Sequence, residues 1–370
     1  MRIGIDARML RHSGIGTYVR HLLAGLAVDP GPHRFVVFTF PELASQVPEN
    51  PAFEVRPVSV PVYAASEHRE WPRLLGAAGC DLYHIPHYNV PIGFEPPFVV
   101  TVHDLIHVLF PEFMRSRLAA RMAAGLLRHA VQRAARIVAV SECTGRDLVR
   151  RLGADPRRIA VVPQGVDARF RPLPADQVEP FRARCELPQR FVLVVGLRRP
   201  HKNLTRLVRA YGAWRRDRSD VPHLVLWGAP DARDAATDAA VRELGLESAV
   251  LRLHRALDDD EMPLLYNAAC GFAMPSLYEG FGLPALEALA CGVPVLVGAG
   301  GALPEVVGDA ALCVDPHDTA ALEGGLARLV DDAAWRAASA TRGPARAALF
   351  RWVDTVRATR AVYEACRAGM

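Results

Sequence analysis

The feature that most constrains this chain is a cadence: short apolar runs of strand length recur between stretches of helical pattern, and the series plays twice. The first series is RIGIDA (2–7), RFVVFTF (34–40), DLYHIP (81–86), FVVTVHD (98–104) and RIVAVS (136–141). The second is FVLVVG (191–196), HLVLWG (223–228), AVLRLH (249–254), GFAMPS (271–276) and PVLVGA (294–299). Alternation of this kind specifies a parallel, doubly wound α/β sheet, and two series specify two Rossmann-like halves. Between them, residues 161–180 carry four prolines and lose all periodicity, as a linker does. The expected division is therefore 1–172 and 173–349, with a boundary near Pro172 and an amphipathic helix over 350–370. A chain of 370 residues that is 51% apolar can bury two such cores.

Composition excludes several classes. No run reaches the roughly 18 apolar residues of a membrane span, and Asp6 and Arg8 interrupt the N-terminal stretch, so the expected location is the cytoplasm. The seven cysteines are scattered without a CxxC, which suggests neither a disulfide framework nor a zinc knuckle. Positive charge is concentrated before Pro172, above all in the arginine-rich segment 114–137. That segment reads equally as a packed helix with a soluble face or as a helix resting peripherally on anionic membrane at the inner face. Its arginines lack interleaved aromatics, so nucleic acid is not an expected partner.

The chemistry is expected in PSLYEGFGLPALEALACGVPVLVGAGGALP (275–304). A buried strand runs into Glu279-Gly280-Phe281-Gly282-Leu283, and Pro284 then marks a helix start. First-turn amides lack intrahelical partners and lie at the positive end of the helix dipole, so Gly280, Phe281, Gly282 and Leu283 form a ready phosphate site. Glu279 precedes the helix and Glu287 lies about one turn inside it. Carboxylates accept from vicinal hydroxyls, which suits Glu287 to a ribose and Glu279 to a hexose beyond the phosphates.

The Glu279-x7-Glu287 spacing within EGFGLPALEALACGVPV resembles the donor-site signature of retaining glycosyltransferase family 4 (GT4), whose GT-B fold sets two Rossmann-like domains across a cleft. The resemblance implies an acceptor-side first domain, a second domain that binds the nucleotide sugar, and a last helix that returns to the first domain. Lys202, the only lysine among 44 basic residues, then matches the diphosphate-binding lysine in VVGLRRPHKNLTRLVRAY (194–211). The arginine often found after the glycine is replaced by Leu197, which leaves Arg198 or Arg199 to contact phosphate. Gly14 and Gly16 in RHSGIGTYVRHLL (11–23) form too weak a pattern for a dinucleotide fingerprint, and a plain tight turn would explain them. Beside the second motif they resemble the family's N-terminal glycine loop, placed before a helix starting near Thr17. His103 and Asp104 end a buried strand, where open sheets bind ligands; the resemblance puts His103 beside the transferred sugar. In the loop around His254 and Arg255 it implies backbone contact with the base.

Two other clusters invite metal. His84, His87, His103, Asp104 and His107 have ligand-like spacings, but prolines break the first pair away from any helix. Asp258-Asp259-Asp260 imitates a metal-binding acidic motif, yet its setting suits capping of the following helix. The expected enzyme is therefore a metal-independent, retaining hexosyltransferase that needs no cofactor. Its residues most directly engaged in the chemistry are His103, Lys202 and Glu279. Its donor is expected to be GDP-mannose and its acceptor a glycan or lipid-linked glycan of surface polysaccharide. A UDP-hexose donor, a sugar-nucleotide epimerase or hydrolase on the same scaffold, and a zinc hydrolase are the alternatives.

Overall fold

The computed structural model describes residues 1–229, 231, 234–253 and 257–368. The chain forms two compact units, Met1–Gly165 with Arg351–Met370, and Val166–Phe350. The first is built on seven strands: β1 (Arg2–Asp6), β2 (Arg34–Thr39), β3 (Phe53–Pro57), β4 (Leu82–Ile85), β5 (Phe98–Val102), β6 (Arg136–Ala139) and β7 (Ile159–Val161). All pairs are parallel, in the order β3-β2-β1-β4-β5-β6-β7. The second unit has β8 (Phe191–Val195), β9 (His223–Trp227), β10 (Val250–Leu253), β11 (Gly271–Met274), β12 (Val295–Gly298) and β13 (Leu312–Val314), ordered β10-β9-β8-β11-β12-β13 and also parallel.

Both faces of each sheet are covered by helices, which is why the central strands read as continuous apolar runs rather than alternating ones. In β1, Ile3 and Ile5 pair with Phe35 and Val37 of β2, and on the other edge Ile5 pairs with His84 of β4. Odd and even positions of these strands enter separate cores, one around Ile5, Leu22 and Val37, the other around Phe38, Trp71 and Val100. The second unit is centred on Val192, Leu207 and Leu224. Strands β3, β7 and β13 were not expected. Each lies at a sheet edge: β3 alternates apolar with polar residues, FEVRP, and is mostly exposed, while β7 and β13 are apolar but only three residues long, too short a run to announce a strand.

The chain leaves the first unit at Gly165, ahead of the Pro172 boundary expected from proline content. The physical reason is Asn267, whose amide accepts from Leu173 N at 2.8 Å and donates to Arg171 O at 3.0 Å, so the proline-rich stretch is bound to the second unit. The final helix, Trp352–Ala368, belongs to the first unit. Thr355 donates to Pro163 O at 2.7 Å, and Gly25 leaves room for Val356, whose Cγ2 would lie 2.4 Å from an added Cβ. All seven cysteines are free thiols.

Candidate active site

In an open parallel sheet, ligands bind beyond the carboxyl ends of the strands where the strand order reverses. In the second unit that point lies between β8 and β11, and the loops following β8, β11 and β12 are joined there. Gly196, at φ +127°, turns the chain out of β8, and the tight turn Pro200–Lys202 follows. Asn203 sits at φ +59°, a left-handed conformation that asparagine tolerates better than most residues. It precedes the helix Leu204–Arg215 without capping it through its side chain. Its Nδ2 instead donates to Pro275 O at 3.1 Å and Pro316 O at 2.7 Å, while Leu277 N donates to His201 O at 2.8 Å.

These ties bring Lys202 to Glu279, with Nζ 2.6 Å from Oε1 and both side chains mostly buried. Burial pushes the Glu279 carboxyl up, but the ammonium of Lys202 and the field of His201 more than offset it, and it stays ionised below the usual range. A second glycine loop backs Glu279. A Cβ on Gly300 would stand 2.1 Å from Leu277 O, and one on Gly301, at φ +62°, 2.3 Å from Glu279 O; Ala302 N bonds that oxygen at 2.9 Å. No other residue fits at either position without moving the Glu279 loop. The Glu279 loop thus depends on Gly300 and Gly301, visible in the sequence as GAGG but not among the expected site residues.

Gly282, at φ +103°, starts the helix Leu283–Ala290, with Pro284 at its second rather than its first position. Pro284 has no N–H, so the amides of Phe281, Gly282 and Leu283 are the ones this loop can aim at an anion. Glu287, a turn further, accepts from Tyr266 at 2.7 Å. Burial pushes its carboxyl up to about 7; the Tyr266 bond acts the other way, and nearby Asp259 adds to the rise. The two glutamates therefore differ in kind, one held ionised by a cation and one poised to gain a proton near neutrality.

The arginines after Gly196 divide cleanly. Arg198 is buried and bonds Asp238 at 3.0 Å, an acceptor that it shares with Arg252 at 2.7 Å. Burial works against the charge of Asp238, yet these two arginines hold it below the usual range. Arg199 has no ion pair among the described residues, and its Nε is buried without a partner. His254 and Arg255 lie outside the described residues. Asp258–Asp260 do not cap the helix Met262–Ala268 as expected: Asp258 N donates to Glu261 Oε2 at 3.1 Å and Asp260 pairs with Arg169.

The first unit is different in character. Gly14 and Gly16 are not in a loop but inside the first turn of the helix Ser13–Val28. Gly14 is open to solvent, whereas a Cβ at Gly16 would meet Leu10 O at 2.4 Å, so Gly16 lets the helix begin tight against the chain leaving β1. Asp104 accepts from Ile106 N at 3.0 Å and starts a short helix. His103 contacts Pro86 O through Nε2 at 3.0 Å and Gln164 Nε2 through Nδ1 at 3.2 Å. A carbonyl can only accept, so Nε2 carries the proton and Nδ1 receives the Gln164 amide. Both ring nitrogens are committed, and burial lowers this imidazole to about 4. His103 is thus a neutral, fixed ring and not a proton donor poised at neutral pH.

His84, lowered by burial to about 3, bonds Tyr363 at 2.6 Å and Thr101 at 2.8 Å, and His87 bonds Tyr63 at 3.1 Å. These histidines are partnered by protein, and among the described residues no group of three His, Cys, Asp or Glu side chains is placed to hold a metal. No residue pattern announces the buried network beside them. Arg8 bonds Asp6 at 2.7 Å and Glu67 at 2.6 Å and lies 3.9 Å over the Trp71 ring.

Two Rossmann-like units in one chain, the second with a lysine, carboxylates and glycine loops at its switch point, define a glycosyltransferase of GT-B type. Residues 12–170 match the model for Glycosyltransferase Family 4, and residues 178–346 that for Glycosyl transferases group 1. The chain belongs to this glycosyltransferase family. It is 28% identical to O-antigen chain mannosyltransferase B of Escherichia coli over 95% of this chain and 96% of that protein. It is 30% identical to MMP alpha-(1->4)-mannosyltransferase of Mycolicibacterium hassiacum over 74% of this chain and 66% of that protein. Among solved structures it resembles sucrose-phosphate synthase of Thermosynechococcus elongatus, at a TM-score of 0.81 and 23% identity over 100% of both chains. Anabaena HepE, solved with UDP and glucose, gives 0.78 at 19% identity over 99% of this chain and 100% of that one.

Proposed function

We propose that this glycosyltransferase moves mannose from GDP-mannose to a hydroxyl of a glycan or lipid-linked glycan, with retention at the anomeric carbon and without a metal ion. The observation that carries the donor site is the buried Lys202–Glu279 pair at the β8/β11 switch point, between a helix start and two glycine loops. Breaking the anomeric bond builds negative charge on the leaving diphosphate. Lys202 and the Phe281–Leu283 amides neutralise that charge, a pre-oriented electrostatic contribution of the kind that dominates many enzymes. Arg199, with no ion pair among the described residues, supplies the contact that Leu197 lacks, because Arg198 is spent on Asp238. Positive protein charge thus fills the role a divalent cation would otherwise take.

Glu287 accepts from the ribose hydroxyls and Glu279 from the sugar. Glu279 is bonded to Lys202, which suits it to positioning rather than to nucleophilic attack, so the front-face route is favoured, the leaving phosphate taking the acceptor proton. The first unit presents the acceptor, with His103 as a fixed neutral ring. Mannose is favoured because two of the similar proteins are mannosyltransferases, one of them of O-antigen chains. The UDP and glucose bound to HepE support a UDP-hexose as the second reading. In the described residues no helix is long and apolar enough to cross a membrane. The helix Arg117–Arg133 has no acidic residue and exposes Leu118 and Met122 among arginines, which supports peripheral contact with anionic lipid.

Calorimetric titration of the full chain with GDP, UDP and ADP, with and without EDTA, tests the donor. Tight GDP binding that survives EDTA is expected; tighter UDP binding would transfer the assignment to a UDP-hexose, and binding that EDTA abolishes would end the metal-free mechanism. Proton NMR of the first-formed product checks the anomer.

A further inference from the structure

At the carboxyl ends of the first unit's strands, an exposed aromatic ring is held over a buried polar framework that no step above uses. Tyr63 is 56% exposed, yet its backbone is in the left-handed region at φ +64°, an unfavourable conformation for a non-glycine residue. Two partners hold it there. Glu67 Oε2 accepts from Tyr63 N at 2.8 Å, and the Tyr63 hydroxyl meets His87 Nε2 at 3.1 Å. Glu67 is itself fixed, fully buried, by Arg8, which also donates to Val60 O at 3.1 Å and so ties down the chain leading to Tyr63. A buried ionic framework is a costly way to fix a loop, and here its outcome is one ring presented to solvent.

Two buried acceptors flank the same loops. Asn89 donates through Nδ2 to the Glu67 carboxylate and through its backbone N to His87 Nδ1 at 3.3 Å. A carboxylate only accepts, so the amide orientation of Asn89 is fixed and its Oδ1 is left, buried, without a partner. Gln164 is fixed in the same way: His103 Nδ1 has no proton, the Gln164 NH2 must face it, and Oε1 is left buried without a partner. Both side chains are 4% exposed. The segment Pro86–Asn89 connects the two, since Pro86 O receives the His103 proton. A buried acceptor left unpaired is destabilising, and a donor from a ligand relieves it.

We propose that Tyr63, Asn89 and Gln164 form the subsite for the acceptor saccharide, with the Tyr63 ring as a platform for one pyranose face and the two amide oxygens as acceptors for its hydroxyls. The chemistry selects the ligand class: two orphan acceptors call for hydroxyl donors, and an amphipathic ring fits the C–H face of a sugar. This rests on the reading of the protein as a transferase acting on a glycan.

The test uses the full chain, saturated with GDP, and methyl α-D-mannopyranoside observed by saturation-transfer NMR. Wild type is expected to transfer saturation to the ring protons. Tyr63→Ala should weaken mannoside binding at least fivefold, Tyr63→Phe less than twofold, and Asn89→Leu at least threefold, with circular dichroism and the GDP Kd unchanged. Equal mannoside binding in wild type, Tyr63→Ala and Asn89→Leu would overturn the subsite, as would a wild type that binds GDP but no mannoside. Tyr63-dependent mannoside binding in a chain that binds none of GDP, UDP and ADP would uphold the subsite and overturn the donor assignment instead.

Discussion

The two units repeat one strand order around their first strand, yet the carboxyl ends of their sheets are chemically opposed. Beyond β8 and β11 the side chains are charged and paired, with Lys202 on Glu279 and Arg198 and Arg252 on Asp238. Beyond β4 and β5 the rings are neutral: His103 is lowered to about 4 and His87 well below the usual imidazole range, both chiefly by burial. A diphosphate requires fixed positive charge, whereas a sugar hydroxyl requires directional, uncharged partners. On the proposed reading one scaffold serves both, because the loops, not the strands, carry the chemistry.

The contrast breaks most readily at Lys202. Lys202→Ala removes charge-assisted bonds to phosphate of about 1.5–3 kcal/mol, so nucleoside diphosphate affinity should fall more than tenfold and turnover by about a hundredfold or more. Calorimetry and steady-state kinetics check this, and unchanged affinity would remove Lys202 from the site. Glu279→Gln comes next: turnover should fall roughly tenfold to a hundredfold while nucleotide affinity changes little. A loss confined to affinity would reassign Glu279 to the nucleotide.

Glu287 sharpens the contrast through pH. Its carboxyl titrates at about 7 in the folded protein against 4.5 ordinarily, so the folded chain holds this proton more firmly than the unfolded one. The stability it contributes is complete below about pH 4.5 and is lost as pH rises through 7. Glu287→Gln should therefore raise Tm at pH 8 and change it little at pH 4. Nucleotide affinity, which needs the ionised form to accept ribose hydroxyls, should rise several-fold from pH 6 to 8 in wild type and stay flat in Glu287→Gln. The smallest effect is expected at His103. Its lowered value means that stability is present above about 6.5 and lost only as pH falls toward 4, so 15N NMR at pH 5.5 should still show a neutral ring protonated at Nε2. An imidazolium signal there would restore His103 as an acid.

The sequence disclosed what depends on local pattern. Ten of the runs became strands because buried parallel strands must be apolar on both faces, while β3 was silent because its edge position admits Glu54 and Arg56, and β7 and β13 because three residues make too short a run. Glu279, Glu287 and the Gly280–Leu283 loop were legible because they lie within one strand–loop–helix unit. What escaped depends on distant partners: Tyr266 beneath Glu287, Gly301 against Glu279, Asp238 capturing Arg198, and Gln164 fixing His103. The misplacement of Gly14 and Gly16 has a local cause, since two glycines read as a loop unless a neighbouring backbone, here Leu10, is known to press on them.

The solitary lysine has a further consequence, for proteolysis. Because the chain contains one lysine, a lysine-specific endoprotease has a single bond to cut, Lys202–Asn203, and would yield fragments 1–202 and 203–370. That bond lies where Asn203 is fastened to two neighbouring loops and Lys202 to a buried carboxylate. Its scission requires the Lys202–Glu279 loops to open, so the rate at which two fragments appear on a gel would measure the opening of the proposed donor site, with no label and no substrate.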